Sequence, residues 1–247
     1  MSAYSTVLWL LAVAIFALAG VSFANHLHTQ QQLRRQRSQQ LRRRVTELEE
    51  IALTVEPLVE SLAIAKLINE ENLAVTRAAL QLDPASQGLN AHLDRAETLA
   101  QDFADEGRPR KIDRLLESDA AIARAKYYIS EAIHILRRQQ AKGRLEVDEL
   151  EILVSELAWA HLMVQVVSMV AQGHKAIQRG NLLSSSAFYR KAQQKLIDTL
   201  HSDRRRHKMI RQLGEILDGE RRVLDEDLMP ETRFNPSSAP PTQSRSA

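Results

Sequence analysis

The chain has no cysteine, which excludes a disulfide framework, a thiolate zinc site, iron–sulfur ligation and a thiol nucleophile. Eight glycines and seven prolines are all that interrupt 247 residues, and aromatic residues make up 4% against 44% hydrophobic. With so few breakers, and Ala, Leu, Arg, Glu and Gln abundant, the composition favours long helices and an all-α fold. Net charge is also scarce: 33 Lys+Arg against 31 Asp+Glu leave +2, too little for a globally basic nucleic-acid binder. There is no Gly-rich phosphate loop, His-Glu-x-x-His, Gly-x-Ser-x-Gly or motif-bound pair of carboxylates, so no catalytic, cofactor or metal residue is assigned. These gaps favour a binding or scaffold protein over an enzyme. The length allows one or two domains with a real core.

Tyr4 to Ala24 is uncharged and mostly apolar, close to the roughly 20 residues that a helix needs to cross a bilayer. Ser22-Phe23-Ala24 would tolerate signal-peptide cleavage, but nothing basic precedes the apolar run, so an uncleaved anchor is preferred. Tyr4 and Trp9 suit one interface, and Arg34, Arg35, Arg37, Arg42, Arg43 and Arg44 follow the run before the first acid, Glu47. Positive-inside placement then puts the C-terminal bulk in the cytoplasm, as a single-pass protein of a bacterial inner membrane. Gly20 and Ala24 form a small-xxx-small pair that could pack two anchors together. A second apolar stretch, Leu157 to Ala171, is short and contains His161 and Gln165, so it reads as a buried core helix with His161 a hydrogen-bonded core residue.

Leu41, Val45, Leu48, Ala52, Val55, Val59 and Leu62 recur in steps of four and three, a heptad seam that predicts a short coiled coil and self-association through the stalk. Arg43 and Glu47 are spaced for a helical ion pair, and Pro57 should kink the helix or start a new one. Asp83-Pro84 breaks the next helix, with Ser86 as N-cap of the one after it. Two long arms follow, one from Pro109 to Gly143 and one from Glu146 to Gly180, each about 50 Å at 1.5 Å rise and joined as an antiparallel hairpin. Further helices span about Leu183–Leu200 and Asp203–Gly219, with an extension to Leu228. The expected organisation is an anchor (1–25), a basic and coiled-coil stalk (26–57), a helical region (58–107), a helical hairpin domain (108–228) and a disordered tail (229–247).

Gly173 and Ala176 before the Gly180-Asn181 turn, with Ser185, Tyr189 and Ala192 after it, resemble the two-helix unit of tetratricopeptide repeats. In that family small residues let the two helices approach and an aromatic ring fills the gap. Ala79-Leu80-Gln81-Leu82-Asp83-Pro84 is similar to the phrase that ends such a repeat. The resemblance covers about residues 163–200 and the 79–84 fragment. It departs from the family in the long helix before Gly180, in the lack of a Pro after Ala192 and in the spacing of the two fragments. Any tight helical hairpin also wants small residues at its crossing, so a plain hairpin and a divergent repeat both fit. The resemblance implies a protein-binding surface without catalysis.

Arg204, Arg205, Arg206, Lys208 and Arg211 are the densest basic cluster of the soluble part, a candidate patch for an anionic partner. Its apolar opposite face and the acids that follow it fit an ordinary solvated helix. With no aromatic interleaved, nucleic acid is an unfavoured partner. Glu131-x-x-His134 and Asp198-x-x-His201 share a metal-ligand spacing but fall on outward faces. The leading expectation is a membrane-anchored helical scaffold or adaptor for a cytoplasmic protein, and the alternative a membrane-tethered binder of nucleic acid or anionic lipid.

Overall fold

The computed structural model describes residues 3–105, 107 and 110–231, with side chains from His28 onward except that of residue 31. Among them are seven α-helices and no strand: α1 (Ala3–Val55), α2 (Leu62–Leu82), α3 (Gln87–Ala104), α4 (Asp119–Ala141), α5 (Val147–Gln178), α6 (Leu182–Asp198) and α7 (Arg205–Leu217). The chain is all-α.

α1 runs unbroken for 53 residues, about 80 Å. Its backbone is helical through the apolar 4–24 stretch, whose side chains, and with them the expected anchor surface and the Gly20/Ala24 pair, lie outside the described residues. The described side chains from His28 to Arg37 are exposed. Below them the helix enters the body, where Val45, Leu48, Ile51, Ala52 and Val55 are completely buried. The heptad register is therefore as expected, but the stripe is covered within the chain: α2 and α4 both pack on α1. A heptad pattern announces an apolar stripe and does not say whose helix will cover it. The charge pair also shifts by one residue, with Arg44 bonding Glu47 at 2.7 Å and reaching Glu131 of α4 at 3.4 Å.

Pro57 ends α1 in a one-turn 3₁₀ helix, Glu56–Leu58. The Ser61 hydroxyl caps α2 by accepting from Ala63 N, and Ser86 caps α3 at Leu89 N after the Asp83-Pro84 break. Pro109 lies outside the described residues, and α4 does not begin there. It begins at Asp119, with the Ser118 hydroxyl accepting from Ala121 N at 3.1 Å. The hairpin arms are thus 23 and 32 residues long. The cause is tertiary. Residues 110–118 are held by the carbonyls at the end of α1, with Arg110 donating to the oxygens of Glu56, Val59 and Glu60, Arg114 Nε to that of Leu58, and Asp113 N to that of Pro57. Helix ends leave such carbonyls without intrahelical donors.

Gly143 turns α4 into α5 at φ +69°, a left-handed conformation that suits glycine. α4 lies antiparallel to α1, because Glu50, Glu47 and Arg44 meet Arg124, Tyr127 and Glu131 in that order. α5 then runs back in the general direction of α1. It is long and apolar enough to cross a membrane, and most of its apolar length is buried within the chain. Its first half joins a core with α1, α2 and α4, and its second half joins another with α6, α7 and Leu224, Leu228 and Met229. The extension after α7 is a series of turns, not a helix, and Met229 and Glu231 are buried in place of starting a free tail. The rest of the expected disordered tail, 232–247, lies outside the described residues.

Candidate functional site

The residues singled out around the α5–α6 turn come together. Gly180 takes φ +72°, Asn181 caps α6 through Oδ1 to Ser184 N at 3.0 Å, and Asn181 N returns to Ala176 O at 2.9 Å. One turn deeper, the Tyr189 ring lies against Gly173, where a Cβ would stand 2.8 Å from Cδ1 and 2.9 Å from Cζ. Ser185 and Ala192 are buried beside it on the same face of α6. The five residues form a close crossing of two helices, closed by an aromatic ring. Gly173, Ser185, Tyr189 and Ala192 are interior and Gly180 is exposed at the turn, so a partner on α6 would meet its reverse face.

His174, unremarked in the sequence, sits at this crossing and is 1% exposed. The Tyr189 hydroxyl lies 2.7 Å from its Nδ1, and the two rings meet edge-on at 5.5 Å. Burial lowers the imidazole to about 4 and raises the phenol. The neutral ring and the phenol share one hydrogen bond at Nδ1, and Nε2 has no hydrogen-bond partner among the described residues. His161, expected as the core histidine, is only half-buried, with its pKa lowered by burial and by Lys126 and Lys195. The apolar face of α5 is a poor guide because most sides of this helix are covered.

The basic cluster does not form a common surface. Arg205 bonds Asp203 at 2.6 Å and Glu60 at 2.5 Å, lies over the Trp159 ring at 5.1 Å, and is raised above the usual guanidinium range by Asp203 and Glu60. Arg206 is buried, donating through Nε to Leu196 O at 2.8 Å and so capping the end of α6. Lys208 holds Asp225 and Asp227, and with Gln212 and Arg221 it lowers Asp225 to about 2. Arg211 reaches Glu215 at 3.7 Å. Of the five, Arg204 is the one left exposed without an ion pair among the described residues. An anionic ligand at the other four would have to displace carboxylates or backbone carbonyls already in place.

The metal-like spacings are likewise occupied by local partners: Glu131 by Arg44, Asp198 by Gln194 at 2.6 Å, and His201 Nε2 by Ser155 O at 2.9 Å. Among the described residues, no three His, Asp or Glu side chains stand where they could hold a metal ion. Grooves on the surface of the described residues include two of note. One, of 420 Å³, lies between α1 and α4 and is lined chiefly by Leu53, Pro57, Leu58, Leu116 and Ala121, with Glu50 and Arg124 at its side. The other, of 240 Å³, is lined by Trp159, His201, Asp203, Arg205, Glu60 and Glu156. Its polar groups are matched to one another, since His201 Nδ1 accepts from Asp203 N at 3.1 Å and Glu156 Oε1 from the N–H groups of Glu60 and Ser61. Neither groove offers an activated nucleophile and base in contact.

Compared with known proteins, the chain matches no family model, no curated protein and no solved structure.

Proposed function

We propose that this chain is a membrane-anchored helical adaptor that holds a cytoplasmic protein partner near the inner membrane. The observation that carries the reading is α1 itself. One continuous helix includes the uncharged 4–24 stretch, a fully exposed basic segment around Arg34, Arg35 and Arg37, and a lower end built into the core through Leu48, Ile51 and Val55. A body joined in this way to an anchor is held at a set distance from the bilayer, which raises the local concentration of whatever it captures. The arginines that follow the apolar stretch support a cytoplasmic body. The Gly173–Tyr189 crossing supports the tetratricopeptide-like part of the reading, a helix pair that presents its outer face to a partner. The runner-up, a binder of nucleic acid or anionic lipid through residues 204–211, is disfavoured by the ion pairs that occupy that cluster.

In-cell crosslinking of the tagged full-length chain, detergent extraction and mass spectrometry with and without nuclease test the reading. A defined protein that survives nuclease and is lost when residues 109–219 are deleted is the expected result, with the deleted chain's membrane retention and helicity checked in parallel. Orientation is read separately. Ser244→Cys should stay unlabelled by an impermeant thiol reagent on intact cells, and labelling there would overturn the cytoplasmic placement.

A further inference from the structure

From Leu157 to Ile197 the chain contains no Asp or Glu, yet it carries Lys175, Arg179, Arg190, Lys191 and Lys195. Lys175 pairs with Glu117. The other four form no ion pair among the described residues, and the stretch itself supplies no carboxylate to neutralise them. The unpaired cations lie in the same stretch as four exposed aliphatic residues. Leu182 is 70% and Leu183 88% exposed at the tip, with Ile177 at 42% and Ile197 at 46%. On α6 the outer face reads Leu183, Ala187, Arg190, Lys191, Gln194 and Ile197, while Ser185, Tyr189, Ala192 and Leu196 face inward. Large aliphatic side chains left in water next to unneutralised cations mark a face whose partner supplies apolar contact and carboxylates together.

We infer that the tip of the α5–α6 hairpin and the outer face of α6 dock an amphipathic helix of another protein, with aliphatic residues along one side and Asp or Glu beside them. This deepens the adaptor reading and rests on it. The apolar residues at the two ends of the face would anchor the incoming helix, and Arg190 and Lys191 between them would set its direction and select against basic helices. The chain's own residues 232–247 are unsuitable occupants, because they contain Arg233 and Arg245 and no acid. The anchoring bilayer is also a poor occupant. α5 runs in the direction of α1, so its C-terminal tip points away from the end of α1 that carries the 4–24 stretch.

The test uses the full-length chain in detergent micelles and three probes: a labelled helical peptide of Leu/Glu heptads, the same peptide with Lys for Glu, and phosphatidylcholine vesicles with and without phosphatidylserine. The Leu/Glu peptide should bind at least roughly tenfold more tightly than the Leu/Lys one, equal to about 1.4 kcal/mol. Arg190→Glu with Lys191→Glu should reverse that preference, and Leu182→Ser with Leu183→Ser should weaken binding of the Leu/Glu peptide. All four side chains are exposed, so the melting temperature of the variants serves as the folding control. No charge preference, a preference indifferent to the substitutions, or binding to the anionic vesicles in place of the peptide would overturn the inference. So would a crosslinked second copy as the occupant when a photo-reactive group is placed at Leu183→Cys. The adaptor reading fails separately, if no defined protein is captured in cells at all. A captured protein that crosslinks from Leu53→Cys and not from Leu183→Cys would leave the adaptor reading standing and remove this docking face.

Discussion

Gly173 has no side chain because Tyr189 occupies the place where one would go. A Cβ added at 173 would lie within 2.9 Å of three atoms of the phenol ring, and that ring is 2% exposed and tied to His174. Gly173→Ala should therefore destabilise the full-length chain by about 1–3 kcal/mol, the usual cost of overpacking a filled core. Gly88→Ala, where a Cβ meets nothing within 4 Å, should be neutral or slightly stabilising. Thermal melts in detergent, followed by circular dichroism, decide between them. Equal melting temperatures for the two variants would mean that the crossing is looser than described.

The same pair makes stability depend on pH. Burial holds His174 at about 4, below its ordinary value near 6.5, so the unfolded chain binds a proton that the folded chain refuses between those values. Stability should be fully present above about pH 6.5 and fall by about 3 kcal/mol as pH drops toward 4. Glu231, raised by burial, works in the opposite sense. The diagnostic is therefore the difference between the parent and His174→Asn, which keeps polar atoms near the Tyr189 hydroxyl but does not titrate. The variant should lose most of the decline between pH 6.5 and 4, and an undiminished decline would refute the assignment.

How much was legible in the sequence follows from which forces are local. The N-caps Ser86 and Asn181 and the glycines at 143 and 180 are consequences of a few neighbouring residues, and the breaks or turns fall where the sequence places them. The stripe from Val45 to Val55 was legible as an apolar face, but its partner helices were not. Nothing in a heptad distinguishes a second copy from α2 and α4 of the same chain. The 110–118 segment reads as helix from sequence for the same reason. Arg110 and Arg114 look like ordinary helix residues until the carbonyls of Val59, Glu60 and Leu58, at least 50 positions earlier, are brought beside them. His174 carries no signal in the sequence, because a helix covered on most sides has no phase from which to read its buried polar residue.

That distinction predicts the outcome of charge insertion in the stripe. Ala52 and Val55 are both 0% exposed within one chain, so Ala52→Asp with Val55→Asp should unfold the body and not merely separate two copies. Leu53, on the exposed side at 51%, should accept Ser with little change. Limited proteolysis and circular dichroism check this. A double variant that kept its helicity and protease resistance while losing only size would restore the stalk as an intermolecular coiled coil.

The basic cluster gives the last test, since its members are alike in sequence and unlike in structure. Arg206 lies inside, with its Nε on Leu196 O, while Arg204 projects into solvent. Arg206→Ala should cost about 1–3 kcal/mol, because it removes a charge-assisted donor and leaves a buried carbonyl at the end of α6 without one. Arg204→Ala should change stability by no more than about 0.5 kcal/mol. Arg205→Ala falls between them, releasing Asp203 and Glu60 from their shared partner at a partly exposed site. If the three substitutions had equal, small effects on the melting temperature, the cluster would be a solvated patch free to take an anion. A graded series instead means that a multiple alanine variant of residues 204–208 loses its fold before it can report on any ligand.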